Sequence, residues 1–200
     1  MKLAVAIPMK PLARAKARLR PSLDDAPRQK LAADMLRHVL TAVATSCVAE
    51  TCGVVSADPA ALALAAELGC EAIVESAPAG YNQAAIRASS WAQARRCDAL
   101  LILPADLPLL TPGDIRAMAR LAESHRKTMV IAPDAREAGT NALLLRPPHI
   151  LNPAFGPGSF SRHLRLARIA RISTLIYHSA TIAQDIDWPE DFHQFKRGHS

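Results

Sequence analysis

The chain has 200 residues, half of them hydrophobic, and this length fits one globular domain over residues 1–200. Its 24 lysines and arginines exceed its 18 acidic residues, and the net charge of +6 favours an anionic partner, whether nucleic acid, acidic membrane or phosphorylated metabolite. Aromatic residues make up only 4%, which disfavours a nucleic-acid binder that stacks bases on exposed rings. Four scattered cysteines without a CxxC pair argue against zinc or a disulfide framework.

Short apolar runs alternate with longer helical patterns, as is typical of an α/β fold with a mainly parallel sheet. The strand candidates are Leu3–Ile7, Cys52–Val55, Glu71–Val74, Ala99–Leu103, Met129–Ala132, Ala142–Leu145 and Thr174–Tyr177. Apolar residues from Leu31 to Val43 recur at helical spacing. Further helix starts are indicated at Asp58-Pro59, with Gly69 ending that helix, at Thr111-Pro112-Gly113-Asp114 and at Asp187-Trp188-Pro189-Glu190. The N-terminal apolar run stops at Pro8, too early for a signal peptide core or a membrane span, so we expect a cytoplasmic protein with no membrane partner.

A basic segment, IPMKPLARAKARLRP, follows the first predicted strand. Ligands of parallel α/β sheets bind beyond the carboxyl ends of the strands, where this segment would surround a polyphosphate with positive charge. It has no glycine, so it is neither a Walker loop nor a dinucleotide fingerprint. A solvated loop or a patch for nucleic-acid phosphates fits the same spacing.

A lone carboxylate, Asp106, lies in the apolar stretch LLILPADLPLL just after a predicted buried strand. A buried carboxylate is costly unless it is paired. Mg²⁺ is one such partner, since it takes one or two carboxylates together with substrate phosphates, and bonding to backbone amides is the alternative. A second carboxylate is offered by QDIDWPED, as Asp185 or Asp187, although Asp187 also fits a helix cap.

The segment FGPGSFSRH, residues 155–163, contains two glycines that let the backbone approach a ligand closely. Ser159 is predicted to cap the next helix, whose free amides would bind an anion with added charge from Arg162. A purely structural turn is the alternative.

Several segments occur in order from Leu3 to about Phe192: AVAIPMKPLARAKARL, SADP, Gly80-Tyr81-Asn82, LPADLPLL, GTNALLLRPP, FGPGSFSRH and DIDWPED. Together they resemble the CofC/FbiD family of guanylyltransferases, which serve the biosynthesis of the deazaflavin coenzyme F420. The resemblance implies a three-layer α/β/α fold with a mixed, mainly parallel sheet, similar to the nucleotide-diphosphosugar transferases (GT-A type), in which Ala142–Leu145 is antiparallel. Tyr81, where the family usually has Leu, and Arg95-Arg96-Cys97-Asp98, in place of a small-residue stretch, depart from the pattern and bear on the acceptor more than on the reaction.

The resemblance also assigns roles by position. The GTP phosphates would meet Lys10, Lys16 and Arg18, and the guanosine side would be lined by Asp58, Gly80 and Asn82. The implied Mg²⁺ ligands are Asp106 and Asp187, and the catalytic candidates are Lys16, Arg18 and Asp106. The small phosphorylated acid would be held by Thr140, Gly156 and Ser159; Arg162 joins this acceptor set from its position near the predicted helix start, not from the resemblance.

These assignments predict a reaction in which a phosphate oxygen of the acid attacks the α-phosphorus of GTP and pyrophosphate leaves. The acceptors considered are 2-phospho-L-lactate, phosphoenolpyruvate and 3-phospho-D-glycerate. The expected partners are GTP and such an acid, with no nucleic acid; a homodimer is compatible with the sequence. Two alternatives stay open: a basic nucleic-acid-binding module, and a nucleotidyltransferase of the same fold that acts on another phosphorylated acceptor. The second is disfavoured because such enzymes usually open with a glycine-rich loop.

Overall fold

The computed structural model describes residues 1–186, and all seven predicted strands occur in it within three residues of their expected bounds. They are β1 (Leu3–Pro8), β2 (Ala49–Ser56), β3 (Glu71–Val74), β4 (Ala99–Ile102), β5 (Thr128–Pro133), β6 (Thr140–Arg146) and β7 (Ser173–Ile176). The helices are α1 (Asp25–Ser46), α2 (Pro59–Glu67), α3 (Tyr81–Ala94), α4 (Pro112–Glu123), α5 (Ser159–Ile169) and α6 (Ala180–Ala183). Two short 3₁₀ turns, Leu12–Arg14 and Ala17–Leu19, lie between β1 and α1.

The strands form one mixed sheet in the order β3-β2-β1-β4-β6-β5-β7. β6 is antiparallel to β4 and to β5, and the remaining neighbours are parallel, so the predicted antiparallel strand is confirmed. Because β6 runs opposite to the others, its first residue, Thr140, lies at the edge where the other strands end. This carboxyl edge therefore collects residues from the loops after β1, β2 and β4 and from the start of β6.

Helices cover both faces of the sheet, which confirms the three-layer fold. On β1, Val5 and Ile7 pack into the apolar cluster that contains residues of α1, α2, α4 and α6, while Ala4 and Ala6 pack against α3 on the other face. A third cluster joins α5 to β5 and β6. Successive residues of β1 therefore point to opposite faces of the sheet. Burying a Val or Leu side chain stabilises the protein by about 1.5–3 kcal/mol, so a shift of the strand by one residue, which would exchange the two faces, is unfavourable.

The predicted helix starts are confirmed at two of three places. Asp58 accepts the Ala60 N–H at 2.9 Å and caps α2, and Thr111 and Asp114 form a reciprocal capping box on α4. The predicted start at Asp187 lies outside the described residues. The prediction that Ser159 caps α5 is wrong: Gly158 occupies that position with a φ of 69°, and Ser159 is the first helical residue. A left-handed residue favours glycine, which explains the difference.

The segment from Tyr177 to Thr181 is bonded to α4 through a buried carboxylate. Asp114 accepts hydrogen bonds from Tyr177 Oη at 3.0 Å, Ser179 Oγ at 2.6 Å and Thr181 Oγ1 at 2.7 Å. Burial opposes ionisation, but hydrogen bonds from Ser179, Thr111 and Thr181 hold the pKa of Asp114 below its usual value. The contact fixes the stretch that leads to residue 186. Within residues 1–186, every helix is too short or too polar to cross a lipid bilayer.

Candidate active site

The loop of residues 9–20, called here the basic loop, is anchored at the carboxyl edge by main-chain contacts. The Met9 N–H donates to the carbonyl of Val55 at 2.9 Å, and the Leu12 N–H donates to Asp58 Oδ2 at 2.6 Å. Asp58 thus binds the basic loop with one oxygen and caps α2 with the other. The predicted contact of Asp58 with the nucleoside stays a prediction, and the structure adds a second task, that of holding the basic loop against the end of β2.

A fully buried arginine on α1 is hydrogen-bonded to the main chain in the middle of the basic loop. Arg28, on α1, donates to the carbonyl of Ala15, to that of Ala13 at 3.1 Å and to Asp25 Oδ1 at 2.7 Å. The guanidinium lowers the pKa of Asp25 through hydrogen bonding and charge. These bonds fix the main chain immediately before Lys16.

Lys16 adopts a left-handed backbone conformation, with φ 53° and ψ 32°, between the two 3₁₀ turns. Such a conformation costs a non-glycine residue about 1–2 kcal/mol, so it persists only where surrounding contacts impose it. Here the turn directs the side chain inward, where Lys16 Nζ lies 2.5 Å from Asp106 Oδ2 and 2.5 Å from the carbonyl oxygen of Ile186. The structure therefore brings the predicted catalytic residues Lys16 and Asp106 into one ion pair.

The Lys16–Asp106 pair lies at the wall of a cavity of about 210 Å³ at the carboxyl edge. Its side chains are 5% and 27% exposed, so the carboxylate faces solvent while the ammonium is nearly enclosed. Lys10, which is exposed, and Tyr81 from α3, which is half-buried, also line this cavity. Arg18 is exposed on the second 3₁₀ turn and is not among the residues described as lining this cavity. Cations next to a small open cavity suit a phosphorylated ligand.

The Gly80-Tyr81-Asn82 corner begins α3 and is joined to the FGPGS segment. Gly80 has a φ of 94°, a conformation that favours glycine, and leads the chain into the helix. Asn82 Nδ2 donates to the carbonyl of Phe155 at 3.1 Å, and the Phe155 N–H donates to Asn82 Oδ1 at 2.7 Å. The rings of Tyr81 and Phe155 meet edge to face with centroids 4.8 Å apart. Asn82 therefore joins the predicted nucleotide side to the predicted acceptor side; its own contact with GTP stays a prediction.

Thr140, the first residue of β6, is bonded to a buried histidine. Its Oγ1 lies 3.0 Å from His163 Nδ1, and the Ala154 N–H donates to His163 Nε2 at 2.9 Å. Burial, followed by the charge of Arg162, lowers the pKa of His163 to about 4, against a smaller opposing effect of a hydrogen bond with the Ser159 backbone, so the ring is neutral at pH 7. Since Nε2 accepts a hydrogen bond, the single ring proton lies on Nδ1 and is donated to Thr140.

The remaining predicted acceptor residues are engaged with their own segment. Gly156 has a φ of 117°, and its carbonyl accepts the Ser159 N–H at 3.0 Å. Arg162 donates to the carbonyls of Ala154 at 3.0 Å and Pro157 at 2.8 Å. The expectation of free amides at the start of α5 is thus wrong for Ser159 and also for Phe160, whose N–H donates to the carbonyl of Ala138 at 3.3 Å. The contacts predicted between these residues and a phosphorylated acid stay predictions.

A family model described as "Guanylyl transferase CofC like" matches residues 3–196. The chain belongs to this family. A phosphoenolpyruvate guanylyltransferase of Rubrobacter xylanophilus is 39% identical over 191 residues, which cover 96% of this chain and 92% of the relative. A 2-phospho-L-lactate guanylyltransferase of Methanothermobacter thermautotrophicus is 34% identical over 191 residues, 96% of this chain and 82% of the relative. The resemblance drawn from the sequence is confirmed, and the chain is a nucleotidyltransferase.

Solved structures with the same fold are much more distant in sequence. A protein of Desulfovibrio desulfuricans described as a nucleotide-diphospho-sugar transferase aligns with a TM-score of 0.80 at 13% identity, covering 100% of this chain and 89% of that one. A nucleotidyl transferase of Methanothermobacter aligns with a TM-score of 0.71 at 14% identity, covering 98% and 97%. At such identities the likeness concerns the fold alone, and it confirms the predicted nucleotide-diphosphosugar transferase architecture.

The oxygen ligands near Lys16 suit the magnesium ion predicted for this CofC-like chain. Among residues 1–186, groups of three or more His, Cys, Asp or Glu side chains that could together hold a metal ion are absent. Mg²⁺ needs only one or two carboxylates, because phosphates and water complete its shell. Asp106 would supply one of these carboxylates at the cavity, and the carbonyl of Ile186 accepts a hydrogen bond from the same Lys16 ammonium. The other predicted ligand, Asp187, follows Ile186 in sequence and lies outside the described residues.

Two contributors to this CofC-like site escape sequence reasoning, although both leave a trace. Arg28 lies four residues before Ala32 on the apolar face of α1, so a charged residue in the hydrophobic register indicates a buried arginine with a specific partner. His163 lies four residues before Ala167 on the inner face of α5. A histidine in such a register is equally compatible with a satisfied core residue, and only the structure identifies Thr140 as its partner.

Proposed function

We propose that the protein transfers the guanylyl group of GTP to the phosphate of a small phosphorylated carboxylic acid and releases pyrophosphate, as a step of coenzyme F420 biosynthesis. The observation that carries this proposal is the Lys16–Asp106 pair at the wall of a small cavity that Lys10 also lines. Family membership supports the reaction class, and the names of the relatives support both the guanylyl donor and an acid acceptor.

In this reaction an oxygen of the acceptor phosphate forms a bond to the α-phosphorus of GTP. The bond between the α-phosphorus and the oxygen that bridges to the β-phosphate breaks, and pyrophosphate leaves with that electron pair. The attacking oxygen is already ionised at neutral pH, so the step needs no general base. His163 fits this reasoning, because it is buried and bonded through both ring nitrogens.

Catalysis then depends on positioning and on neutralising phosphate charge. Lys16 is held in place by the bonds of Arg28 to the preceding main chain and would share its ammonium between Asp106 and the phosphates of GTP. Lys10 and Arg18 would add positive charge from the more exposed part of the same loop. Asp106, with Asp187, would hold Mg²⁺, which when bound supplies further charge neutralisation on phosphate oxygens.

The acceptor belongs to a class that carries both a phosphate and a carboxylate: phosphoenolpyruvate, 2-phospho-L-lactate or 3-phospho-D-glycerate. Relatives named for phosphoenolpyruvate are 39% and 36% identical to this chain, and one named for 2-phospho-L-lactate is 34% identical. Phosphoenolpyruvate is therefore the first acceptor to test. A cytoplasmic location and assembly into a homodimer belong to the same proposal as expectations.

The proposal is tested by pyrophosphate release from GTP and Mg²⁺ with each acid in parallel, and by replacing Asp106. We expect release with at least one acid, and a loss of kcat/KM of about 100- to 1,000-fold in Asp106→Ala, because positioned charge stabilisation of this kind contributes that much. Asp34→Ala is the matched control: Asp34 is an exposed aspartate on α1 that pairs with Lys30 at 2.7 Å, and it should leave kcat/KM unchanged. Release that is absent with every acid, or equal in Asp106→Ala and the control, would refute the assignment. Binding of RNA that falls steeply with salt would then favour the nucleic-acid alternative.

A further inference from the structure

Among residues 1–186, the side chain of Thr140 has one hydrogen bond, and that bond uses its oxygen as an acceptor. His163 Nε2 accepts the Ala154 N–H at 2.9 Å, so the proton of the neutral ring lies on Nδ1, 3.0 Å from Thr140 Oγ1. The hydroxyl proton of Thr140 therefore points away from His163. Within residues 1–186, the hydrogen bonds of this side chain consist of the one to His163, so its proton has no acceptor there.

This free donor lies in a setting where it is costly. Thr140 is 8% exposed and His163 is fully buried. Buried hydroxyl groups normally satisfy their donor, because leaving it unpaired costs free energy. Thr140 also begins β6 at the carboxyl edge, the edge that carries Asp106 and the basic loop. An anionic oxygen of a bound molecule would supply the missing acceptor, and donation from His163 polarises the hydroxyl and strengthens it as a donor.

We propose that His163 is a positioning residue for acceptor binding: by donating from Nδ1 it turns the Thr140 hydroxyl proton toward an anionic oxygen of the phosphorylated acid. This inference rests on the proposed function for the identity of the ligand. His163 has no contact with the acid in this scheme and acts through Thr140. The Ala154 N–H donates to Nε2 of His163 and so favours the tautomer with the proton on Nδ1, which this role requires.

Two substitutions separate the two hydrogen bonds of the ring. In His163→Asn the side-chain amide can place an N–H near the position of Nδ1, so the donation to Thr140 is kept while the bond from Ala154 is lost. In His163→Gln the longer side chain can accept from Ala154 while the donation to Thr140 is lost. We expect the KM of the acid to rise roughly 10-fold in His163→Gln and less than about 3-fold in His163→Asn, with the KM of GTP changed by less than about 2-fold in both.

A double substitution tests whether His163 acts through Thr140. Thr140→Val removes the hydroxyl and keeps the shape, and it should raise the KM of the acid at least as much as His163→Gln. Adding His163→Gln to Thr140→Val should then have little further effect on that KM. Multiplied effects in the double variant, or equal increases in the KM values of GTP and acid in both single variants, would overturn the inference and leave a purely structural role.

The wild-type protein provides a test that does not depend on the variants folding. Nitrogen-15 NMR of labelled histidine reports which ring nitrogen carries the proton, and we expect His163 to be protonated on Nδ1 alone at pH 7. Protonation on Nε2 would overturn the inference. If the wild type transfers GMP but His163→Gln keeps a normal KM for the acid, the inference fails and the proposed function stands. If the wild type transfers GMP to none of the three acids, the proposed function fails, and the proposed role of His163 in acceptor binding fails with it.

Discussion

Arg28→Met should destabilise the protein and also release the part of the basic loop that positions Lys16. The substitution keeps the apolar stem but removes the donors to the carbonyls of Ala15 and Ala13. Ala15 is 7% exposed, so its carbonyl is left unpaired inside the protein, whereas the carbonyl of the exposed Ala13 can turn to water. An unpaired buried carbonyl costs about 1–3 kcal/mol, and the ion pair with the exposed Asp25 adds little. Arg28→Met also removes a buried charge and the buried Arg28 Nε, which has no hydrogen-bond partner among the described residues. Their removal offsets part of the cost of the unpaired carbonyl.

We therefore expect a loss of about 1–3 kcal/mol in the free energy of unfolding, which for a chain of this size lowers Tm by about 3–10 °C. The activity should fall further than stability explains. The left-handed conformation of Lys16 costs about 1–2 kcal/mol, which is close to what the Arg28 anchor contributes, so the loop can relax and carry the ammonium away from Asp106. A decrease in kcat/KM of about 10- to 100-fold, measured well below Tm, is the expected result.

Arg37→Met is the matched control, since Arg37 lies on the same helix, is exposed and is 3.9 Å from Glu67. Scanning calorimetry and pyrophosphate release should show little change in this control. Equal Tm values for the two variants, or an Arg28→Met protein with normal kcat/KM, would show that the anchor does not hold Lys16 in place.

Two further predictions follow from buried side chains. The pKa of His163 is lowered to about 4 in the folded protein, so the unfolded chain takes up a proton at a higher pH than the folded protein does. The free energy of unfolding should therefore fall by roughly 3 kcal/mol between about pH 6.5 and pH 4. In His163→Gln, urea denaturation at a series of pH values should show a smaller decrease over this range. Tyr81→Phe should leave Tm unchanged or raise it, because the buried hydroxyl of Tyr81 has no hydrogen-bond partner among the described residues. Tyr177→Phe is the comparison: it loses a hydrogen bond to Asp114 at 3.0 Å and should lower Tm by about 2–5 °C. A lower Tm in Tyr81→Phe than in Tyr177→Phe would contradict the burial argument.

The strands could be predicted well because their signal is local. An apolar run such as Ala99–Leu103 has to be buried on both faces, and the structure buries all of it. The cap at Asp58 is equally local, since a carboxylate before a proline satisfies the first amides of a helix. The error at Ser159 is also local: the left-handed Gly158 takes the cap position one residue earlier, and a pair of glycines does not reveal which of them turns the chain.

The site could be predicted only in part because its contacts are long-range. The pairing of Lys16 with Asp106 joins residues 90 positions apart, and the resemblance placed both at the site without predicting that they pair. The support from Arg28 and the link from Asn82 to Phe155, 73 positions apart, depend on how α1 and α3 lie on the sheet. The register of Arg28 on α1 indicates that it is buried, but residue type and spacing do not identify the partners of Arg28 or Asn82, which follow from the fold alone.

The double hydrogen bond between Asn82 and Phe155 has a consequence for redesign of this enzyme. It joins the start of α3 rigidly to the glycine-containing segment before α5. Phe155 also contacts the rings of Tyr81 and His163 edge to face, and His163 is hydrogen-bonded to Thr140, so the connected set of contacts reaches β6. Substitutions on opposite sides of this connected set share contacts, so their energetic effects will not add independently. A change of acceptor preference therefore calls for libraries that vary both segments together, rather than one pocket wall at a time.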